Sequence, residues 1–242
     1  MKGHTEIVKL LIEKDADVNI RDSTGIDTLT ITSGKHPKII DIDGNSYQVV
    51  KIGNQLWMAK NLRVTHYVNG DPIPNVTSDR QWIHIGYFTD SLEGAYCYYN
   101  NDVNNLSTYG CLYNWFAIID SRSICPTGWH IPTAEEWRIL ETYLGGSSVA
   151  GGKMKEAGDK YWDFPNTGAN NVSGFCALPG GYRNPDGSYH SIGSIAQIWS
   201  STELQDKDQY WTFSCSLRCF GSDLSLSPAN QANGFSVRCI KD

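Results

Sequence analysis

Long apolar runs are missing from this chain. No stretch approaches the ~18–20 residues that cross a bilayer, so no membrane span is expected. The amino terminus lacks the apolar centre and cleavage site of a secretory signal, which leads to the expectation of a cytoplasmic protein. Basic residues are in short supply: 20 Lys and Arg against 26 Asp and Glu give a net charge of −6, which argues against a general nucleic-acid binder. Charged residues reach only 19% while hydrophobic ones make up 40%, too apolar a mixture for a disordered tail. The histidines (His4, His36, His66, His84, His130 and His190) show no paired ligand spacing. No Gly-rich loop opens a helix as at a phosphate site, and no Ser-His-Asp set stands out. Asp41, Asp43 and Asn45 alternate as in a calcium loop, but the rest of an EF-hand is missing, so no metal or other cofactor is expected.

What the 242 residues do have is 23 Gly, 8 Trp, 13 Tyr and 7 Cys. That mixture implies many turns and an aromatic-rich domain, and an odd cysteine count leaves at least one thiol unpaired within a monomer. The aromatic signal is unevenly spread, since residues 1–40 contain no Trp, Tyr or Cys. There, Thr5–Lys14 sets Ile7, Val8, Leu10, Leu11 and Ile12 mainly along one helical face. Gly3–Leu11, followed by Ala16-Asp17-Val18-Asn19 and the turn Asp22-Ser23-Thr24-Gly25, resembles the second half of an ankyrin repeat. Asp15 and Thr28 depart from that pattern, and Pro37 falls inside the next helix. One such unit cannot bury its apolar face alone, so the segment docks on something else or is the stub of a longer array.

The second region, 41–242, reads as α+β. Ser46–Ile52 and Gln55–Met58 are two strands around Gly53-Asn54. Residues 69–109 are loop-heavy, and Leu112, Trp115, Phe116 and Ile119 predict a short buried helix over 110–119. Thr133-Ala134-Glu135-Glu136 is a capping box for a second helix carrying Trp137, Leu140 and Leu144 and ended by Gly145-Gly146. Short strands and turns follow from about Asn170.

Asp41–Tyr47, Ile52–Arg63, Tyr109–Trp115, Cys125–Pro132, Ala177–Arg183, Trp199–Glu203 and Gly234–Cys239 together resemble, in order, the Fibrobacter succinogenes major paralogous domain. The resemblance implies a C-type lectin-like fold, with two helices, short and mostly antiparallel strands and long loops, related to formylglycine-generating enzymes. Cys125 and Cys239 fall in two of these motifs and are candidates for a disulfide, although the expected reducing location argues for free thiols. Cys97 sits in a Tyr-Cys-Tyr-Tyr-Asn-Asn-Asp pattern that resembles the family, and Cys111 and Cys176 read as buried small-residue positions.

The same fold carries the variable proteins of diversity-generating retroelements, in which adenine-directed mutagenesis of Asn codons never yields Lys, Glu, Gln, Trp or Met. Residues 212–230 contain none of those five. The resemblance therefore implies a variable region at about 204–233, on a face that binds a protein or a surface glycan. Strand alternation sets Thr212, Ser214, Ser216, Arg218 and Phe220 on one face, against Phe213, Cys215, Leu217 and Cys219 on the other. The candidate ligand-binding residues are Tyr210, Thr212, Ser214, Ser216, Arg218, Phe220, Ser222, Asp223, Ser225, Ser227 and Asn230. An aromatic anchor beside charged and small polar groups suits such a face. The expected function is non-enzymatic binding. Two alternatives stand beside it: copper(I) oxidase chemistry at Cys215 and Cys219, by analogy with formylglycine-generating enzymes, and a scaffold acting through the ankyrin-like segment.

Overall fold

The computed structural model describes residues 37–87, 92–204 and 211–242. The ankyrin-like segment up to residue 36, the variable-region positions 205–210 and residues 88–91 lie outside the described residues.

The strands anticipated around Gly53-Asn54 form as β2 (Ser46–Ile52) and β3 (Gln55–Met58), with Val49 opposite Met58 and Ile52 opposite Gln55. Alternate burial of Tyr47 and Val49, with Ile52 buried again at the turn, drives this pairing. Lys38–Ile40, on the amino-terminal side of the composition break, pairs with β2 as β1. The chain's last strand, β12 (Ile240–Lys241), lies between β3 and β6 (Trp129–His130), completing a five-stranded sheet of order β1-β2-β3-β12-β6.

A second five-stranded sheet has the order β11-β10-β9-β7-β8. Its strands are β7 (Gly180–Arg183), β8 (Tyr189–Ile192), β9 (Ile195–Glu203), β10 (Trp211–Arg218) and β11 (Ser225–Asn230). All of its neighbours are antiparallel except β7 and β9. The small pair β4 (Tyr96–Cys97) and β5 (Leu112–Tyr113) stands apart.

Helices are more numerous than the two expected: α1 (Asp79–Tyr87), α2 (Leu106–Tyr109), α3 (Trp115–Ile118), α4 (Ala134–Tyr143) and α5 (Ser147–Met154). The capping box at Thr133 and Glu136 is present on α4. The helix expected over 110–119 instead splits into β5 and a single turn capped by the Asn114 side chain, which accepts from the Ala117 N–H. Asn114 also accepts from the Ala95 N–H at 2.9 Å, so strand pairing and cap compete for this stretch and divide it. Helix α1 lies in the region read as loop. It is held by Trp82, whose indole donates to the Ala232 carbonyl at 3.0 Å, a partner that no local pattern reveals.

The core bridging the two sheets sets Trp57 against Trp137 with their rings tilted at 41° and centroids 4.8 Å apart, with Phe175 edge-on to both and Ile198, Cys215 and Leu217 closing it. A neighbouring core collects Tyr47, Tyr113, Trp115, Trp199 and Phe235, and the Cys125–Cys239 disulfide lies within it.

Candidate functional site

Composition singles out the carboxy-terminal hairpin, and its register sets Thr212, Ser214 and Ser216 of the expected face on one side, whereas Phe220 lies beyond the end of β10 at Arg218. Thr212 lies opposite Ala229, Ser214 opposite Ser227 and Ser216 opposite Ser225, so their side chains point to the same side of the sheet. That face does not meet solvent along β10. Thr212 and Ser214 have no exposed surface, and Ser216 has 3%. The hydroxyls are satisfied internally: Thr212 Oγ1 donates to the Thr202 carbonyl at 2.6 Å, and the Gln197 amide donates to Ser214 Oγ at 2.8 Å. Trp199 stands opposite Ser214 on β9 and packs on Phe235, which explains the cover. The expectation of an exposed face is therefore corrected for these three residues. β10 is an interior strand, and small hydroxyls fill a covered surface as readily as a wet one.

Exposure returns at the turn. Phe220 is 64% exposed, while Arg218, Ser222, Asp223, Ser225 and Ser227 are half-buried. Asn230 is half-buried too, but its carboxamide accepts from the Ala232 N–H at 2.8 Å and shapes the next turn. Tyr210 lies outside the described residues. Arg218 and Asp223 form no ion pair among the described residues; Asp223 folds back over Gly221, where its Oδ1 lies 2.1 Å from the place a Cβ would occupy.

The backbone of this turn is fixed from beneath by groups the sequence did not advertise. Lys155 has no exposed surface, and its ammonium donates to the carbonyls of Thr167 (3.0 Å), Arg218 (2.8 Å) and Gly221 (2.8 Å). Burial lowers its pKa, as expected for a cation with carbonyl but no carboxylate bonds. Cys219 accepts from the Thr167 N–H at 2.7 Å and donates to Ser194 at 2.9 Å. Ser222 accepts from Gly152 at 3.0 Å, and Leu224 donates to Ser147 at 2.8 Å. The approach of α5 is so close that a Cβ on Gly151 would sit 2.1 Å from the Asp223 carbonyl oxygen. Consecutive glycines inside an apolar helical stretch were the available signal, since they weaken a helix unless another backbone must come near.

Residues 50–241 match the family model of the Fibrobacter succinogenes major domain. The chain belongs to that family. Residues 1–23 match the ankyrin-repeat model. Neither the curated proteins nor the solved structures yield a match. In this Fibrobacter succinogenes major domain, the motifs that carry the resemblance are scaffold. Arg238 is 1% exposed; its Nε donates to Asn61 Oδ1 at 2.7 Å and its terminal nitrogens to the carbonyls of Met58, Phe175 and Cys176. It thereby ties the last motif to the Ile52–Arg63 motif, at the cost of a burial that lowers its pKa to about 9. Arg183, fully buried between Trp82 and Tyr189, bonds Asp79 Oδ1 at 2.7 Å and the Gly187 carbonyl at 2.9 Å.

The reactive side chains of the domain are mostly engaged structurally. Cys215 and Cys219 sit in the core with Trp57 and Leu140, and burial pushes the Cys215 thiol up, away from the thiolate that copper(I) takes. Among the described residues no group of three or more His, Cys, Asp or Glu side chains is arranged to hold a metal ion. Cys97 and Cys111 are buried with thiols raised by burial, whereas Cys176, read as a buried position, is half-buried and has a φ of +53°. The Asp41 carboxylate accepts from the Asp43 and Asn45 N–H groups, the Asn45 amide and the Tyr47 hydroxyl, so the calcium-like alternation builds a turn. Two hydroxyl-His-Asp groupings have the wrong connectivity for a relay. His66 uses the same ring nitrogen toward Asp43 (2.6 Å) and Thr65 (3.1 Å), and Asp186 contacts the Ser188 hydroxyl instead of His190.

Proposed function

We propose that this is a non-enzymatic binding protein of C-type lectin-like fold that displays the 218–224 turn, with Ser225 and Ser227 beside it, to a target protein or surface glycan. One observation carries this reading: the carbonyls of Arg218 and Gly221 are held by a buried ammonium while the Phe220 ring stands 64% exposed. A backbone fixed independently of its outward side chains tolerates their replacement, which is what a diversified recognition surface requires. Diversification by a retroelement then falls on Arg218, Phe220, Ser222, Asp223, Ser225 and Ser227, and change at Thr212, Ser214 and Ser216 is restricted by their burial.

The test is the triple variant Arg218→Ala, Phe220→Ala and Asp223→Ala, compared with wild type on a glycan array and against a displayed peptide library. The expected result is loss of every wild-type hit with the melting temperature kept within about 3 °C, as for surface substitutions. Retained hits, or an unfolded variant, would sink the assignment. A near-repeat of the coding sequence for 199–239, differing only at adenines and adjoining a reverse transcriptase gene, is the corresponding check on diversification.

A further inference from the structure

The far end of the same hairpin borders a cleft of about 710 Å³, within the ~300–1,000 Å³ of ordinary ligand sites. Its apolar lining includes Phe116, Ile119, Trp211 and Trp115. Ile119 is 48% exposed, although it directly follows a helix whose other apolar residues are largely covered. Gln231 is the notable member. It is 93% buried by its 7% exposure, its backbone carbonyl accepts from the Trp115 N–H at 3.0 Å, and its carboxamide has no hydrogen-bond partner among the described residues. The residue is enclosed except where its amide opens onto the cleft, and there the amide can hydrogen-bond a ligand or water.

The charges of the cleft are one-sided. Arg122 is already neutralised: its guanidinium bonds Asp120 at 2.9 and 2.7 Å and Asp71 at 3.1 Å, lying 4.0 Å over the Tyr67 ring. Glu93 and Glu203 have exposed carboxylates and form no ion pair with any described residue. Among the described residues the cleft therefore presents two carboxylates outside any ion pair, an aromatic and aliphatic wall and one unpartnered amide.

We propose that this cleft binds a basic side chain of a partner polypeptide, an arginine guanidinium or lysine ammonium. Its alkyl stem lies along Ile119, Phe116 and Trp211, and its charged head meets Glu93, Glu203 and the Gln231 carbonyl oxygen. Aromatic faces attract such cations, and carboxylates complete their hydrogen bonding. An anion is disfavoured, because the cleft's own cation is spent on two carboxylates. This site is independent of the 218–224 turn and does not rest on the display reading.

The probe is the peptide acetyl-Gly-Arg-Gly-amide, with its citrulline-centred isostere as neutral control and lactose as a neutral sugar. Binding is read from the indole N–H resonances of Trp211 and Trp115 in the full chain. The expected result is a millimolar or tighter shift of the Trp211 indole by the arginine peptide, weakened about tenfold for citrulline and about tenfold by the double variant Glu93→Gln and Glu203→Gln. Both carboxylates are exposed, so the double variant should melt like wild type. A shift that also fades with added salt supports the proposal. No indole shift, equal binding of citrulline, or a response to lactose alone would overturn it.

Discussion

Replacing Lys155 with methionine removes the ammonium that holds the 218–224 turn while keeping the side-chain volume. Three carbonyls lose a donor, but not equally. Thr167 O keeps the Ser222 hydroxyl at 3.2 Å, whereas Arg218 O retains only a long contact from Gly221 N at 3.4 Å, and Gly221 O has no second donor among the described residues. Two part-buried acceptors are thus left bare or nearly so, at about 1–3 kcal/mol each. Part of this is offset, because a buried cation without a carboxylate partner is itself costly. The expected net loss is roughly 2–4 kcal/mol. For a domain of this size each kcal/mol lowers the melting temperature by about 2–4 °C, so calorimetry should register a fall of roughly 5–15 °C.

The same variant has a local signature. Amide exchange should accelerate first at Leu224 and Gly152, whose hydrogen bonds link the turn to α5, before it changes in β2 or β3. Lys153→Met is the control, since Lys153 bonds a single carbonyl, Leu144 O at 2.7 Å, away from the turn. A Lys155→Met protein within about 0.5 kcal/mol of wild type, with Leu224 and Gly152 equally protected, would refute the claim that this ammonium fixes the turn.

Two further outcomes follow from the geometry. Gly151→Ala in an ordinary helix interior would stabilise by about 1 kcal/mol, but here the new Cβ lies 2.1 Å from the Asp223 carbonyl, so urea unfolding should show a loss of about 2 kcal/mol, with exposed Ser148→Ala as the neutral control. His130 has its pKa raised: burial opposes the charge, but hydrogen bonds to Asp242 (2.5 Å) and Glu136 (2.8 Å) outweigh it. Its stabilising contribution is present below the unfolded value near 6.5 and is lost as pH rises through the higher folded value. The ring is partly exposed, so the effect is about 0.5 kcal/mol, read as a wild-type minus His130→Gln difference in stability that shrinks between pH 6 and pH 8.

The sequence patterns that succeeded were local. β2 and β3 were legible because burial alternates over a few residues around a Gly-Asn turn, and α4 because Thr133 and Glu136 cap each other within one turn. The shared face of Thr212, Ser214 and Ser216 was legible for the same reason, since alternation is a property of the strand itself. Whether that face meets water is decided elsewhere: by Trp199 on β9, and by Phe235, itself paired to Tyr113 through the main chain. The helix Asp79–Tyr87 escaped notice because its anchor, the Ala232 carbonyl, lies 150 residues away. The helix Ser147–Met154 escaped because Gly151 and Gly152 weaken it locally and are explained only by the backbone they admit, that of Ser222 and Asp223 at Gly151 and that of Gly168 at Gly152. The turn itself follows this logic. Phe220 could be nominated from composition, but the rigidity that would make it a recognition residue comes from Ser147, Gly152, Lys155, Thr167 and Ser194, none of them within the hairpin. The turn is therefore written in two places. The exposed residues of the turn can be nominated from the segment, and the residues that fix its backbone can be read only from what packs beneath it.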